Sequence, residues 1–218
     1  MTTVVVEDQT FLREILTEVC RRDLHHEKVI AAADGLKGLE AILAHRPETV
    51  LLDLELPNLD GFDVIRMTRA AGIKPRFLIF SAHLDEYTVY RVEKALVPGF
   101  LDKELQGIKP LQEAIRTISQ GGTSFSEQFL RLKNRRHADP ARFDLVLTQR
   151  EIEILTMVGD VMSDYEIASE LQVADETIAR HRYNIRKKLG TGGKLLDDLL
   201  KYAQSNGFRR SVARKAIP

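Results

Sequence analysis

Short β-rich runs alternate with amphipathic helical stretches through the first 120 residues. Five strands that alternate with five helices predict an open parallel sheet covered by helices on both faces, the doubly wound α/β class. The apolar run VLL in the third strand suits burial on both sides of such a sheet. The predicted strands are TTVVV (2–6), KVIAAA (28–33), TVLLD (49–53), RFLIFS (76–81) and GFL (99–101), and the predicted helices lie at about 11–19, 34–45, 60–72, 84–96 and 107–120.

The alternation stops at Gly121-Gly122, and a different organisation follows. The next stretch contains serine, asparagine, a proline and a basic run, which indicates a linker with a short helix near 126–134. From residue 147 the pattern is helical, at about 148–160, 163–171, 175–189 and 193–205. We therefore predict an α/β domain over 1–122, a linker over 123–145, a small all-α domain over 146–207 and a basic tail over 208–218.

Charge is divided unevenly along the chain. Residues 1–120 hold 15 basic and 19 acidic side chains, so the basic excess lies in the second half. Such asymmetry indicates two domains with different partners, of which the basic one is suited to nucleic acid. The single cysteine, Cys20, excludes a disulfide framework within the chain and favours a reducing, cytoplasmic setting. We expect no membrane-spanning helix, because no apolar run approaches about 18 residues. We expect no signal peptide either, because the start, MTTVVVEDQ, lacks a basic n-region and a long apolar h-region.

Acidic, hydroxyl and basic side chains follow successive predicted strands. Glu7 and Asp8 end the first strand, Asp53 the third and Ser81 the fourth, and Lys103 follows the fifth. The carboxyl ends of parallel strands meet at one edge, so these groups should lie together. Three carboxylates repel one another, and a hard divalent cation such as Mg²⁺ relieves that repulsion. Metal, nucleophilic carboxylate, hydroxyl and ammonium together predict phosphoryl chemistry.

This pattern resembles the flavodoxin-like receiver domain of two-component response regulators. The stretch LDLELPNLDGF is close to the LDxxxPxxDG pattern of that family, with Asp53 at the phosphoacceptor position. The resemblance also matches the acidic pair, the Ser/Thr, the switch aromatic and the lysine of the family to Glu7-Asp8, Ser81, Phe100 and Lys103.

The resemblance implies a mechanism for this edge. A partner histidine kinase or a small phosphodonor offers a phosphoryl group, which Asp53 accepts. It also implies Mg²⁺ on Asp8, Asp53 and the backbone carbonyl of Glu55, with Glu7 acting through water. We further hypothesise that Glu55 and His83, each two residues beyond a site residue, set the lifetime of the phosphoryl group.

The second half carries a basic helix behind a short helix and a tight turn. The motifs LTQRE, S-x-x-E-I-A-x-x-L (163–171), T-I-x-x-H (177–181) and N-I-x-x-K-L-G (184–190) resemble the LuxR-type helix-turn-helix, so the whole chain is similar to the NarL/FixJ subfamily. A basic helix of this kind enters the major groove of double-stranded DNA. We predict base contacts from Arg180 and Tyr183, and the predicted DNA-binding set is Thr177, Arg180, His181, Tyr183, Arg186, Lys187 and Lys188.

Several positions depart from the usual pattern of that family. Val161 stands where glycine is usual and Ala174 where a serine caps the recognition helix, a role that Asp175 is expected to take over. Ala179 replaces a frequent DNA-contacting lysine. Arg182 falls on the core stripe of its helix, so it reaches solvent, a carboxylate or a DNA phosphate. The departures from the usual pattern also include Gln149, which stands in place of proline.

The last helix has more apolar positions than one narrow stripe needs. Part of it should pack on the helix-turn-helix and part should form a homodimer that binds two half-sites, as the resemblance implies. The predicted dimer residues are Leu195, Leu196, Leu199 and Leu200.

The leading hypothesis is a DNA-binding transcription regulator, without enzymatic turnover of its own, in which phosphorylation frees the basic helix and favours dimerisation. One alternative is a signalling protein that acts through protein contacts, with weak or lost DNA binding. A further alternative is a hydrolase with an aspartyl nucleophile. Such hydrolases need a second aspartate two residues after the nucleophile, where this chain has Glu55.

Overall fold

The first part of the chain forms a parallel sheet with the strand order β2-β1-β3-β4-β5-β6. The computed structural model describes residues 1–104, 107–191 and 196–209, and for 196 and 197 the backbone alone. All five strand pairings are parallel, which confirms the doubly wound α/β class. The strands are β1 (Thr2–Val6), β2 (Lys28–Ala32), β3 (Thr49–Leu52), β4 (Arg76–Ser81), β5 (Gly99–Asp102) and β6 (Ser124–Phe125).

Helices connect these strands where the apolar spacing predicts them. Asp34 and Asp60 cap α2 and α3, and each accepts a hydrogen bond from the backbone N–H three residues on, at 2.8 Å. After α1 the chain continues as a π-helical turn, Val19–Asp23. The helices are α1 (Thr10–Glu18), α2 (Gly35–His45), α3 (Gly61–Ala70), α4 (Glu86–Lys94), α5 (Ile108–Ser119) and α6 (Glu127–Ala138).

The central strand β3 is buried along its whole length. Every residue of β3 is buried, and Val50, Leu51 and Leu52 are at most 1% exposed. Helices on both faces leave no polar side to such a strand, which accounts for its uninterrupted apolar run. This buried strand therefore holds the backbone in place just before Asp53, the residue that follows it.

A sixth strand corrects the predicted count of five. Ser124–Phe125 lies in the segment predicted to be a linker and pairs with β5, with Phe125 opposite Phe100. The backbone N–H of Ser126 extends this pairing by donating to the carbonyl of Phe100 at 2.8 Å. An edge strand has unpaired backbone groups, and the chain satisfies those of β5 with its own next segment. The short helix expected near 126–134 is α6.

The second part of the chain is helical, as the sequence predicts. Capping boxes begin α8 and α9, at Thr148/Glu151 and Ser163/Glu166. The N-cap of α10 is Ala174, and Asp175 is the first residue inside the helix, so the expectation that Asp175 caps α10 is wrong. The helices are α7 (Phe143–Val146), α8 (Gln149–Gly159), α9 (Asp164–Leu171), α10 (Asp175–Leu189) and α11 (Leu196–Ser205).

The turn between α8 and α9 has a left-handed backbone conformation, which glycine adopts most easily. Val161 occupies the left-handed region there, with φ at +63°, and its side chain is 67% exposed. A β-branched residue in this conformation carries a cost of roughly 1–2 kcal/mol. The conformation of the turn is therefore set by the helices that it joins rather than by the preference of the residue at this position.

The chain divides into two compact units. Within the described residues, the first comprises 1–84 with 88–131, and the second comprises 85–87 with 132–209. Among the helices that the structure describes, none combines the length and apolar character needed to cross a bilayer.

Candidate functional site

Three carboxylates and one ammonium group meet at the carboxyl edge of the sheet. Ligand oxygens of Glu7, Asp8 and Asp53 lie within 4.8 Å of one another. The Lys103 Nζ donates to Glu7 Oε1 at 2.9 Å and to Asp53 Oδ2 at 2.8 Å. Four of the five residues that the strand ends predicted to converge are thus brought together by β1, β3 and the end of β5.

The backbone around Asp53 holds its carboxylate in place. Asp53 Oδ1 accepts a hydrogen bond from the N–H of Leu54 at 2.7 Å. A side chain at Gly61 would place its Cβ 2.3 Å from the carbonyl oxygen of Asp53, so only glycine allows α3 to begin this close to the strand end. The Asp60-Gly61 pair therefore fixes the turn that carries Asp53.

Arg13 binds the backbone of the acidic pair, and the sequence did not lead us to predict this contact. Its Nη1 donates to the carbonyl oxygens of Glu7 at 2.7 Å and of Asp8 at 2.9 Å. Arg13 lies in the first turns of α1, which follows directly on this loop. A cation one helical turn beyond an acidic pair is the signal that could have identified it.

Burial makes the carboxyl group of Glu7 hard to ionise. Desolvation raises the pKa of Glu7 to about 7; the hydrogen bond from Lys103 opposes that shift, and the charge of Asp53 adds to it. For Lys103, burial alone would lower the pKa, but its bonds to Asp53 and Glu7 outweigh burial and raise it. One ammonium group does not fully compensate the negative charge at this edge.

The residues present fit a divalent cation. Glu7 Oε2 is buried and has no hydrogen-bond partner within the described part of the chain. A buried carboxylate oxygen without a partner is costly, and a cation held by neighbouring carboxylates relieves that cost. The acidic cluster can therefore hold a metal ion.

Ser81 lies at the same edge, on the end of β4. Its side chain is 1% exposed, and the backbone N–H of His83 donates to its Oγ at 3.2 Å. The carbonyl oxygen of Ser81 accepts from the N–H of Lys103 at 3.1 Å, which joins the ends of β4 and β5. Nδ1 of His83 lies 3.8 Å from Oε1 of Glu55, so these two flanking residues face each other.

Phe100 is fully buried in an aromatic stack. Its ring centroid lies 5.1 Å from that of Phe129 in the first turn of α6, and Phe129 lies 4.9 Å from Phe125 of β6. Both neighbours belong to the segment that the sequence predicts as a linker. The aromatic that the family resemblance assigns to switching is thus in direct contact with α6.

The recognition helix α10 presents some of its predicted DNA-binding residues to solvent and not others. Thr177, Arg180, Tyr183 and Lys187 are exposed, Tyr183 by 64%. His181 and Arg186 are half-buried. Lys188 is also exposed, and its Nζ donates to Glu151 Oε2 at 2.7 Å. Its place in the predicted DNA-binding set did not anticipate this ion pair.

Arg182 reaches a carboxylate, one of the three destinations that the sequence left open. Its Nη1 lies 2.5 Å from Asp164 Oδ1. The arginine keeps its place on the buried stripe with Ile178 and Ile185, and it is 6% exposed.

The predicted dimer residues are divided by burial. Leu195 and the side chain of Leu196 lie outside the described residues. Leu199 is fully buried inside the helical unit and so belongs to the part of α11 that packs. Leu200 is half-buried.

We expect Glu7→Gln to make the metal-free protein more stable at pH 8. The folded-state pKa of Glu7 is raised from 4.5 to about 7, so the stability that the protonated carboxyl contributes is full at low pH and is lost as the pH rises through 7. Glutamine cannot ionise, and the variant should gain roughly 2–3 kcal/mol at pH 8.

Urea unfolding in EDTA at pH 8 and at about pH 5 checks this expectation, because the gain should be small at the lower pH. Glu40→Gln, an exposed position on α2, is the matched control and should change stability by less than about 0.5 kcal/mol. An equal gain for Glu7→Gln at both pH values would contradict the explanation.

A parallel sheet that gathers an acidic pair, an aspartate and a lysine at its carboxyl edge, followed by a helix-turn-helix, defines a two-part regulator of the receiver class. Comparison with known proteins agrees. The family model of the response regulator receiver domain matches residues 3–116, and that of the bacterial regulatory proteins of the luxR family matches residues 145–195. The chain belongs to the response regulator receiver family.

Some similar proteins match nearly the whole chain, and others match its first part alone. The nitrate/nitrite response regulator protein homolog of Haemophilus influenzae is 26% identical over 202 residues, which cover 93% of this chain and 96% of that protein. The signal receiver domain of NarL from Mycobacterium tuberculosis is 30% identical, with a TM-score of 0.51 over 55% of this chain and 96% of that one. The two-component response regulator RcsB in its DNA complex shares the fold, with a TM-score of 0.61 at 18% identity over 94% of this chain and 98% of that one.

Proposed function

We propose that this protein is a transcription regulator whose binding to duplex DNA is controlled by phosphorylation of Asp53. The observation that carries the proposal is the pairing of Asp53 with Lys103 beside Glu7 at one sheet edge, in a chain that also presents a basic recognition helix. Its partners are a sensor histidine kinase and double-stranded DNA, which place the protein in the cytoplasm.

The chemistry that we propose is transfer of a phosphoryl group to a carboxylate. An oxygen of Asp53 attacks phosphorus, the bond between phosphorus and the donor histidine nitrogen breaks, and an acyl phosphate forms. Lys103, already 2.8 Å from Asp53, and the Ser81 hydroxyl hold the new phosphoryl oxygens. Mg²⁺ on Asp8, Asp53 and the Glu55 carbonyl, with Glu7 through water, would supply neutralising charge. The protein takes part in this step without being a turnover enzyme.

The output follows from the charge that the reaction adds. The phosphoryl group carries about −1.5 to −2 charges, and the Asp53 carboxylate gives up its single charge in the acyl phosphate, so the buried edge gains roughly one negative charge. This charge draws Ser81 and Lys103 towards it. Phe100 lies on β5, the strand that pairs with β4, and β4 ends at Ser81. The ring of Phe100 is stacked on Phe129 of α6. We propose that this shift in population frees α10 and favours a dimer on two half-sites.

The two flanking residues are proposed to control how long the acyl phosphate lasts. Glu55 and His83 lie 3.8 Å apart, and each is two residues beyond a residue of the acidic edge. Side chains there limit the access of water to the phosphorus. In this role His83→Ala changes the rate at which the phosphorylated protein decays, measured after removal of the donor.

Binding of random-sequence duplex at several salt concentrations tests the DNA half of the proposal. With acetyl phosphate and Mg²⁺, we expect the logarithm of the association constant to fall linearly with the logarithm of salt concentration, by about 0.9 for each phosphate contact. Weak binding with a flat dependence would favour the alternative function, a signalling protein that acts through protein contacts.

A further inference from the structure

The cations of the recognition helix differ in their surroundings. Arg180, Lys187 and Lys188 are exposed, whereas Arg182 is 6% exposed. Arg182 and Lys188 each form an ion pair with a carboxylate of a neighbouring helix. A count of basic residues on α10 therefore includes one cation that is buried and one exposed cation that is already paired with a carboxylate.

Arg182 ties α10 to the beginning of α9. It pairs with Asp164, the first residue of α9, and the side chains are 7% and 34% exposed. Arg182 Nε is buried without a hydrogen-bond partner among the described residues. A buried guanidinium in this position depends on its carboxylate, since removing one partner leaves an uncompensated charge.

Lys188 ties the other end of α10 to the beginning of α8. Its partner, Glu151, is 3% exposed and also closes the capping box of α8 with Thr148. Burial alone would raise the pKa of Glu151, but the hydrogen bonds from Lys188 and Thr148 outweigh burial and lower it. The carboxylate is therefore held in its charged form, with Lys188 as its cation.

We propose that Arg182 and Lys188 are positioning residues of the DNA-binding surface. Lys187 then makes phosphate contacts, beside the base contacts of Arg180 and Tyr183. This inference rests on the proposed function, in which α10 binds DNA. The two ion pairs lie six residues apart, about 9 Å along the helix. Two anchors to two different helices fix both the translation and the rotation of α10, and so the direction in which Arg180, Tyr183 and Lys187 point.

Exchanging the charges of one pair separates positioning from DNA contact. Arg182→Glu and Asp164→Arg should each lower the thermal unfolding midpoint and weaken binding to a random duplex by about 10-fold or more, because each leaves two like charges together. The double variant should recover both quantities, to within about 3-fold in affinity. A double variant that recovers its unfolding midpoint but binds DNA as weakly as Arg182→Glu would overturn the proposal, because residue 182 would then be needed as a cation.

Salt dependence gives a second readout that does not require the exchanged pair to form. Lys187→Gln should reduce the salt slope by about one unit, whereas its neighbour Lys188→Gln should leave the slope unchanged. Arg182→Leu, which completes the apolar stripe, should also leave it unchanged. A slope reduced by about one unit in Arg182→Leu or Lys188→Gln would sink the inference. If the wild-type protein itself showed no salt-dependent binding, the proposed function would fail instead.

Discussion

Asp53→Asn should keep its fold and lose every response to a phosphodonor. In the wild-type protein, acetyl phosphate with Mg²⁺ is expected to raise DNA affinity by about 10-fold, within the usual range of coupling between two sites. Asparagine cannot form the acyl phosphate. Its side-chain oxygen can still accept from the N–H of Leu54, as Asp53 Oδ1 does at 2.7 Å. The variant should therefore fail in chemistry and not in folding.

Three measurements decide that prediction together. Mass spectrometry reports phosphoryl incorporation, equilibrium titration reports DNA affinity, and size-exclusion chromatography reports dimerisation. Beryllofluoride serves as a second, non-transferable phosphoryl mimic. Asp63→Asn is the matched control, since Asp63 lies on α3 and pairs with Arg66, and it should respond like the wild type. A wild-type response in Asp53→Asn would place the phosphoacceptor elsewhere.

The acidic edge was predictable from the sequence because it follows from sheet geometry alone. Parallel strands deliver their carboxyl ends to one edge whatever their loops do. The predicted ends of the strands needed to be accurate only to within about two residues to place Glu7, Asp53 and Lys103 at the same edge. Arg13 was not predicted, because it binds backbone carbonyls, and its spacing of one helical turn from the acidic pair is a weak signal in the sequence.

The other features that the sequence did not predict are contacts between residues that lie far apart in the chain. Arg182 and Asp164 are 18 residues apart, and Lys188 and Glu151 are 37 apart. Helical periodicity assigns each residue to a face, but it does not say which carboxylate lies opposite. The strand Ser124–Phe125 was also not predicted. Two residues are too few to show the alternation of a strand, and these two form a strand because the edge of β5 is available for pairing.

Lys103→Met should be the most destabilising single change at the sheet edge. Lys103 is the cation that faces both Glu7 and Asp53, whose side chains are at most 4% exposed. Methionine has similar length and no charge, so two buried carboxylates would face each other. Removing one partner from a buried ionic cluster typically costs 3–5 kcal/mol, roughly a third of the stability of a domain. The loss should be measurable at pH 8 in EDTA by urea unfolding.

The dependence of this loss on pH and Mg²⁺ separates charge from packing. Without Lys103, the folded-state pKa of Glu7 should rise above its wild-type value of about 7, so the penalty should vanish as the pH falls through that higher value. The double variant Lys103→Met/Glu7→Gln should recover most of the loss at pH 8, whereas a packing defect would persist in it. Saturating Mg²⁺ should also restore stability to the single variant, since it binds the same acids in the folded state. It should not restore the response to acetyl phosphate, because the ammonium group that holds the phosphoryl oxygens is gone. Recovery of both stability and response in Mg²⁺ would mean that Lys103 has no role beyond neutralising the acidic cluster.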